Sequence, residues 1–366
     1  MFHAMTRGVV LGAMTLMLAG GGAPQRGAVT VDGQYDSSYG GPSVVQNTQT
    51  DFGNNDDPDP GTANGSELDQ ADALIAGGYL YIFLGGNLES NYNKLEIFID
   101  ARDGGQGSLR GDNPDVDYNA LGAMGDDGSG NGLTFDEGMT ADMWIGVSCG
   151  IDNGTGEFIF HASYAELHTE GGGFGSYLGS AGSGQTLISS NGMQVALDNS
   201  NTAGVEWGTG IGCGEGVNTG VELAIPLFLF NWDSTDPTID DASICAFINS
   251  GGHDYMSNQV LGCIAGGANL GNPREVDFNT INGDQFFTDG QVADPCPEVT
   301  GACCVGGACE LLSAEDCEAA AGEYLGDNIP CDENTCVEVC ASDITGDGVV
   351  DVSDLLQVIS EWNCGL

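Results

Sequence analysis

Basic residues are almost missing from this sequence. Its 366 residues include six lysines and arginines against 54 aspartates and glutamates, which gives a formal net charge of −48. Nucleic acids and anionic membranes attract proteins through clustered Lys and Arg, so this balance excludes both as electrostatic partners. A chain this acidic suits calcium and a salty extracellular environment.

Long hydrophobic runs are missing as well. The apolar run at residues 9–18 is too short to span a bilayer, and no other run approaches the necessary length. Arg7 precedes this run and small residues follow it at 19–23, an order typical of a secretory signal peptide. We therefore predict a signal peptide over residues 1–28 and a secreted protein, extracellular or at the cell surface, without a membrane span.

Helical periodicity is rare between residues 29 and 288, whereas glycine is abundant, with 61 in the chain. Glycine favours tight turns, and short apolar segments separated by Gly, Asn and Asp are typical of a sandwich. The sequence therefore predicts a mainly β protein with a β-sandwich over residues 29–288. Predicted strands lie at 79–84, 95–100, 143–148, 157–162, 193–197, 220–226 and 244–249, with a two-residue turn at Gly77-Gly78.

Three stretches of this region carry a family resemblance. Residues 31–36 read VDGQYD, residues 94–100 read KLEIFID, and residues 220–226 read GVELAIP. In order and spacing they resemble the opening, central and late strands of family-9 carbohydrate-binding modules and the related DOMON-like sandwiches. The resemblance implies a sandwich that binds an extracellular glycan without cleaving it.

Aromatic residues in the predicted sandwich have two readings. Sugar rings stack on exposed aromatics, but alternating aromatics in a sandwich are also typical of its core. The residues open to both readings are Tyr79, Tyr81, Tyr92, Trp144, Trp207 and Trp232. Three histidines, His161, His168 and His253, lack zinc-ligand spacing and are predicted to be surface or locally bonded residues.

No catalytic signature stands out. The chain has no HExxH and no phosphate-binding glycine loop followed by lysine. Carboxylates cluster at residues 51–59, 100–103 and 112–117, where they could hold a calcium ion or arise by chance in so acidic a chain. A secreted glycoside hydrolase and a purely structural surface protein therefore remain alternatives to a glycan-binding protein linked to polysaccharide breakdown.

Cysteines concentrate after a Pro/Asp-rich linker at residues 289–300. Six of them lie between residues 303 and 336, in a short segment with little apolar sequence. An even number of cysteines in a short exported segment predicts a disulfide-stapled module, here over residues 301–339. Zinc is the rival reading, although the segment has no CxxC pair.

The tail contains an oxygen-rich loop of twelve residues, 343–354. Gly348 occupies the sixth position, where an EF-hand loop turns sharply, and an amphipathic helix is predicted to begin inside the loop. A plain Asp/Gly-rich turn is the alternative. As an EF-hand, the loop would bind Ca²⁺ through five side chains and the backbone carbonyl of the seventh residue: Asp343, Thr345, Asp347, Asp351, Asp354 and, for the carbonyl, Val349.

This loop resembles one half of a type I dockerin, the module that ties polysaccharide-degrading proteins to cohesin-bearing partners. It departs from the family in having Thr345 at the third position and a single copy where dockerins have two. The resemblance implies a cohesin-like or cell-surface partner for the tail, residues 340–366. Cys340 and Cys364 bracket the loop and its helix, and we predict a disulfide between them that replaces the second repeat.

Overall fold

The computed structural model describes residues 29–46, 48–50, 52, 65–200, 214, 216–231, 242–262, 264, 268–290, 300–327, 329–332, 335–336, 344 and 350–361. Strands dominate residues 29–290. They are β1 Val44–Val45, β2 Glu67–Ala76, β3 Tyr79–Asn87, β4 Asn91–Asp100, β5 Met143–Ile151, β6 Phe158–Glu166, β7 Gly175–Ala181, β8 Thr186–Ile188, β9 Gln194–Leu197, β10 Gly220–Pro226, β11 Ser243–Asn249, β12 Met256–Leu261 and β13 Phe287–Thr288. A short helix, α1 Ala120–Met124, lies between β4 and β5.

These strands form two antiparallel sheets. The first has six strands in the order β1-β2-β3-β10-β9-β8. The second has seven, in the order β12-β11-β4-β5-β6-β7, with β13 also paired to β11. The predicted mainly β fold is confirmed, and each of the seven predicted strands coincides with an observed one. The predicted turn at Gly77-Gly78 joins β2 to β3, and both glycines have positive φ, as a tight hairpin of this kind requires.

Between the sheets lies the main hydrophobic core. In β4, Leu95, Ile97 and Ile99 point into it and are fully or almost fully buried. Leu80 and Ile82 of β3 belong to the same core from the opposite sheet. Because side chains alternate along a strand, the even-numbered residues of β4 point to the outer face of the second sheet.

That outer face has a second core of its own. Phe98, Trp144 and Phe247 project from the sheet and pack against apolar residues of the segment between β4 and β5 and of the segment after β12. Leu121 and Met124 of α1 belong to this layer. The second sheet is therefore covered over part of its outer face, and Trp144 is fully buried. The reading of Trp144 as a sugar-stacking residue is wrong.

The outer face of the first sheet is covered by the segment that precedes β1. Glu222 of β10 accepts hydrogen bonds from the backbone amides of Asp32 and Gly33 and from the hydroxyl of Tyr39. Gly33 has a positive φ, and a Cβ there would lie 2.4 Å from the backbone nitrogen of Asp198. Two of the three sequence stretches, 31–36 and 220–226, therefore meet through one buried carboxyl group.

Glu222 should make stability depend on pH. Burial raises the pKa of its carboxyl group from 4.5 to about 7, against hydrogen bonds that favour the charged form. Since the folded chain then holds more protons than the unfolded chain between those values, stability falls as pH rises through this window. We expect Glu222→Gln to reduce the loss of unfolding free energy between pH 5 and pH 8 by about 2 kcal/mol.

Urea denaturation at both pH values measures this effect. Glu157→Gln, which neutralises an exposed glutamate, is the matched control and should leave the pH dependence as in the unchanged protein. If Glu222→Gln shows the same pH dependence as Glu157→Gln, the buried carboxyl group is not the source.

The cysteine-rich segment folds around a small sheet. Its strands β14 Gly301–Val305, β15 Ala308–Leu312 and β16 Glu323–Asp327 are antiparallel with β14 in the centre, and helix α2 Ala314–Ala319 begins after the N-cap Ser313. The predicted disulfide module is confirmed, and zinc is not needed to explain its cysteines. The bonds join Cys303 to Cys317, Cys304 to Cys336 and Cys309 to Cys331.

One helix is described in the tail, α3 Val352–Glu361. It begins inside the oxygen-rich loop, as predicted. Its apolar residues Val352, Leu355 and Ile359 are exposed to solvent. Across the described ranges, no helix combines the length and the apolar character that a membrane span requires.

Candidate functional site

Most of the predicted calcium ligands lie outside the described residues: Asp343, Thr345, Asp347 and Val349, together with the predicted disulfide partners Cys340 and Cys364. The last two ligands are described. A side-chain oxygen of Asp354 accepts a hydrogen bond from the backbone amide of Asp351 at 2.7 Å, and Asp351 accepts one from the amide of Ser353. The two carboxylates therefore cap the start of α3, and calcium binding stays a prediction.

The acidic clusters predicted in the sandwich are explained in part by ion pairs. Asp112 pairs with Arg110 and Asp117 pairs with Lys94, at 2.8 and 3.0 Å. Among the described residues, no group of three or more His, Cys, Asp and Glu side chains has an arrangement that could hold a metal ion. Most of residues 51–59 lie outside the described ranges.

A pocket of about 630 Å³ opens on the outer face of the second sheet. It lies over β4, β5, β6 and β7, beside the outer core that buries Trp144. The outward residues of β5 explain the space, since Gly146, Ser148 and Gly150 follow Trp144 on the same face. A Cβ on Gly150 would lie 2.2 Å from the ring of Tyr92, and one on Gly146 would lie 2.4 Å from the indole of Trp144. Small side chains on this strand therefore leave room for rings at its surface.

Four rings line the pocket. Tyr92, Tyr118 and Tyr177 are 38%, 93% and 55% exposed. His161 lies between Tyr92 and Tyr177, with ring centres 6.2 and 6.0 Å away. Its Nδ1 is 2.9 Å from the hydroxyl of Tyr177, and the hydroxyl of Tyr92 donates to the carbonyl of Ile151. Tyr92, His161 and Tyr177 therefore form a row of neighbouring rings, with Tyr118 at the rim.

Lys94 supplies the positive charge of the pocket, and it is the only lysine in the chain. Its side chain is 4% exposed, and its ammonium group donates to both carboxylate oxygens of Asp117, at 3.1 and 3.0 Å. The same ammonium lies 6.0 Å from the centre of the Tyr118 ring. Hydroxyl groups of Ser148 and Ser163 complete the polar lining. A cation and a carboxylate thus stand side by side beneath exposed rings.

A buried network supports this ion pair from below. Glu96 is fully buried and accepts hydrogen bonds from the indole of Trp144 at 2.8 Å and from the amide of Asn249 at 3.2 Å. His253, also fully buried, places its Nδ1 2.6 Å from Glu96 and its Nε2 3.5 Å from Asp117. Acidic and basic side chains therefore alternate from the interior to the pocket.

Backbone strain concentrates at this site. Six non-glycine residues in the described part of the chain have positive φ, and five of them lie here: Tyr92, Asp117, Tyr118, Asn119 and His253. Such conformations cost about 1–3 kcal/mol each and persist only where the surroundings impose them. Strain of this kind is typical of ligand-binding sites, and its clustering distinguishes this pocket from the rest of the surface.

The two histidines of the site respond differently to their surroundings. Burial and the nearby charge of Lys94 lower the pKa of His161, although Asp117 and Asp152 act in the opposite direction. Burial alone would lower the pKa of His253 as well, but the charge of Glu96 and the hydrogen bond to it outweigh burial, and the pKa is raised. His253 therefore keeps its proton to higher pH than His161.

Sequence reasoning identified part of this site. Tyr92 was among the predicted platform residues and lies at the pocket, whereas Tyr79 and Tyr81 lie half-buried on the opposite sheet. Trp207 and Trp232 are outside the described residues. Lys94, Asp117, Tyr118, His161 and Tyr177 were not predicted as a group. The available signal was Lys94, the single lysine of the chain, immediately before the predicted strand at 95–100.

The histidine prediction is correct in one case and wrong in another. His168 lies 3.2 Å from Glu166, two residues away, as a locally bonded histidine should. His253 is neither at the surface nor locally bonded, because its partner Glu96 is 157 positions away in the chain.

Comparison with known proteins adds no relative: no protein-family model, no curated protein and no solved structure matches the chain.

Proposed function

We propose that the sandwich domain binds an extracellular glycan in the pocket of Tyr92, Tyr118, His161 and Tyr177, and does so without cleaving it. The observation that carries the proposal is the row of partly exposed rings beside a paired lysine and aspartate. Sugars present apolar C–H faces and hydroxyl groups, so they need both kinds of surface in one place.

The ion pair suits neighbouring sugar hydroxyls. A hydroxyl group both donates and accepts, so one can donate to Asp117 while the next accepts from Lys94. Ser148 and Ser163 offer further hydrogen bonds at the floor of the pocket. The rings and the strained backbone are already in place in the free protein, which reduces the ordering cost of binding.

The carboxyl groups favour binding over hydrolysis. Glycoside hydrolysis uses two carboxyl groups that flank the bond to be broken, about 5–10 Å apart. Of the described side chains that line the pocket, Asp117 is the one carboxylate, and it is paired with Lys94. Glu96 lies beneath the surface and is engaged by Trp144, Asn249 and His253.

A glycan-array screen with the full chain tests the proposal. We expect binding to a subset of glycans, with the signal weakened in Tyr118→Asn and kept in Phe228→Ala, which removes an exposed ring from the segment after β10. Binding that is equal in both variants would place the glycan elsewhere. Release of reducing sugar from a bound polysaccharide would instead support the hydrolase alternative.

We further propose that the protein is exported and that its tail binds calcium and a cohesin-like or cell-surface partner. The apolar run at residues 9–18 supports export, and the spacing of the acidic residues in 343–354 supports calcium. In the described part of the loop, Asp351 and Asp354 stand at the start of α3, where an EF-hand loop continues into a helix.

Calcium affinity should lie toward the weaker end of the EF-hand range of about 10⁻⁷ to 10⁻³ M, because Thr345 is neutral and Asp354 is shorter than the usual glutamate. Calorimetric titration of the full chain measures it. Asp343→Ala with Asp354→Ala should abolish the heat, while Asp316→Ala, an exposed acid in the cysteine module, should leave it. An unchanged heat in the double variant would rule out the loop as the site.

A further inference from the structure

We propose that His253 is the positioning residue of the pocket: its charged imidazole holds Asp117, and through Asp117 the only lysine, so that the pocket is complete when His253 is protonated and loosens when the proton leaves. The consequence for ligand affinity rests on the proposed glycan binding. The consequence for the pocket itself does not, and it is testable in the free protein.

The geometry gives His253 two carboxylate neighbours on opposite sides. Nδ1 lies 2.6 Å from Oε1 of Glu96, within the sheet, and Nε2 lies 3.5 Å from Oδ2 of Asp117, in the segment before α1. Asp117 in turn holds Lys94 through both oxygens. His253 is thus the cation between two anions, and Asp117 is the anion between two cations.

Loss of the proton reverses one of these contacts. Neutral His253 that donates from Nδ1 to Glu96 has a lone pair on Nε2, and this lone pair faces an oxygen of Asp117. An attraction between opposite charges becomes a repulsion between acceptors. The affected backbone, Asp117 to Asn119, has positive φ at three consecutive residues, a conformation that persists only where its surroundings impose it.

In the described part of the chain, the charged groups that face His253 come from two elements. Glu96 and Lys94 face it from β4 and Asp117 from the segment before α1, while the indole of Trp144 lies 6.4 Å away and Asn249 donates to Glu96. On its own loop, Asp254 bonds to Ser250. Glu96 and Asp117 favour the proton and Lys94 opposes it. The contact is therefore lost as pH rises through the folded pKa of His253, which is raised above its usual value.

The single lysine makes the test direct. Labelling the full chain with [¹³C,¹⁵N]-lysine gives the NMR signals of one residue, Lys94, and its Cε signal reports the ammonium group in the pocket. Without any ligand, we expect this signal to change between pH 6 and pH 9 in one step. A Cε signal that stays constant over this range would overturn the proposal.

Two variants assign that step. Glu96 lies below the pocket, and Glu96→Gln removes one of the negative charges that favour the proton on His253. The midpoint of the Lys94 Cε step should therefore move to lower pH by about one unit or more. Asp254→Asn is the matched control, since it neutralises an acid next to His253 in the chain that bonds to Ser250 and contacts neither Asp117 nor Lys94. A midpoint that is equal in both variants, or a step that survives in His253→Gln, would assign the step to another group.

Glycan affinity measured at two pH values distinguishes the positioning role of His253 from glycan binding itself. With a glycan from the array, affinity should fall about ten-fold between pH 6 and pH 9, the loss expected for one charge-assisted contact. The fall should be absent in His253→Gln. If the Lys94 signal shows the step and no glycan binds at any pH, the proposed function fails and the positioning role stands. If a glycan binds equally at both pH values and the signal does not change, the positioning role fails alone.

Discussion

Replacing Tyr118 with asparagine should lower glycan affinity about 30-fold, because an exposed aromatic ring that a sugar covers on binding contributes about 2 kcal/mol. Tyr118 is 93% exposed and stands over the Lys94 ammonium, so its ring makes little contribution to folding. Asparagine accepts the positive φ of this position better than most residues, so the unfolding free energy should stay within about 0.5 kcal/mol of that of the unchanged protein.

Calorimetric titration with an array-identified glycan measures this affinity. Phe228→Ala provides the matched control, because it also removes an exposed ring, 65% exposed, but from the segment after β10 of the first sheet. We expect the control to bind as the unchanged protein does. A loss of affinity in Phe228→Ala equal to that in Tyr118→Asn would mean that the glycan does not select the pocket.

Trp144→Ala should be the most destabilising single change in the site. The indole is fully buried in the outer core and donates to Glu96, so its removal leaves a cavity and a buried carboxylate with one donor fewer. Large-to-small changes of this kind cost about 3–5 kcal/mol, and the lost hydrogen bond adds about 1–3 kcal/mol. Because domains are stable by about 5–15 kcal/mol, we expect a large part of the stability to disappear.

Trp144→Phe separates the two contributions. It keeps most of the packed ring and removes only the indole N–H, so the cost should be about 1–3 kcal/mol. Chemical denaturation monitored by circular dichroism measures both variants. Equal costs for Trp144→Ala and Trp144→Phe would show that the hydrogen bond to Glu96, and not the packing of the indole, dominates.

The strands that sequence predicted are those whose apolar residues alternate or run continuously. Leu95, Ile97 and Ile99 reveal β4 because one face of the strand enters the core between the sheets. The strand β2 was missed, since its outward face carries acids and amides such as Asp72, which is buried beneath the segment before β1 and accepts hydrogen bonds from Tyr35 and Ser43. The Gly-rich strand β7 was missed because it lacks apolar alternation.

Contacts between distant segments explain why most of the site could not be predicted from the sequence. Lys94 and Asp117 are 23 positions apart, and Glu96 and His253 are 157 apart, so no local spacing relates them. The exposure of Trp144 was equally undecidable from β5 alone, because the residues that cover it come from two other segments. The sequence could indicate that aromatic residues are present in the sandwich. Which of them lie together depends on contacts between distant segments, which local spacing does not show.

The single lysine also offers the most direct test of the central claim that this pocket binds the glycan. Adding an array-identified glycan to the [¹³C,¹⁵N]-lysine-labelled full chain should shift the Lys94 signals in a saturable way, with the same dissociation constant that calorimetry gives. Tyr118→Asn should lower the glycan affinity equally in the NMR titration and in calorimetry. Calorimetric binding with Lys94 signals that stay unchanged at saturation would contradict the account, because the glycan would then be bound away from the pocket.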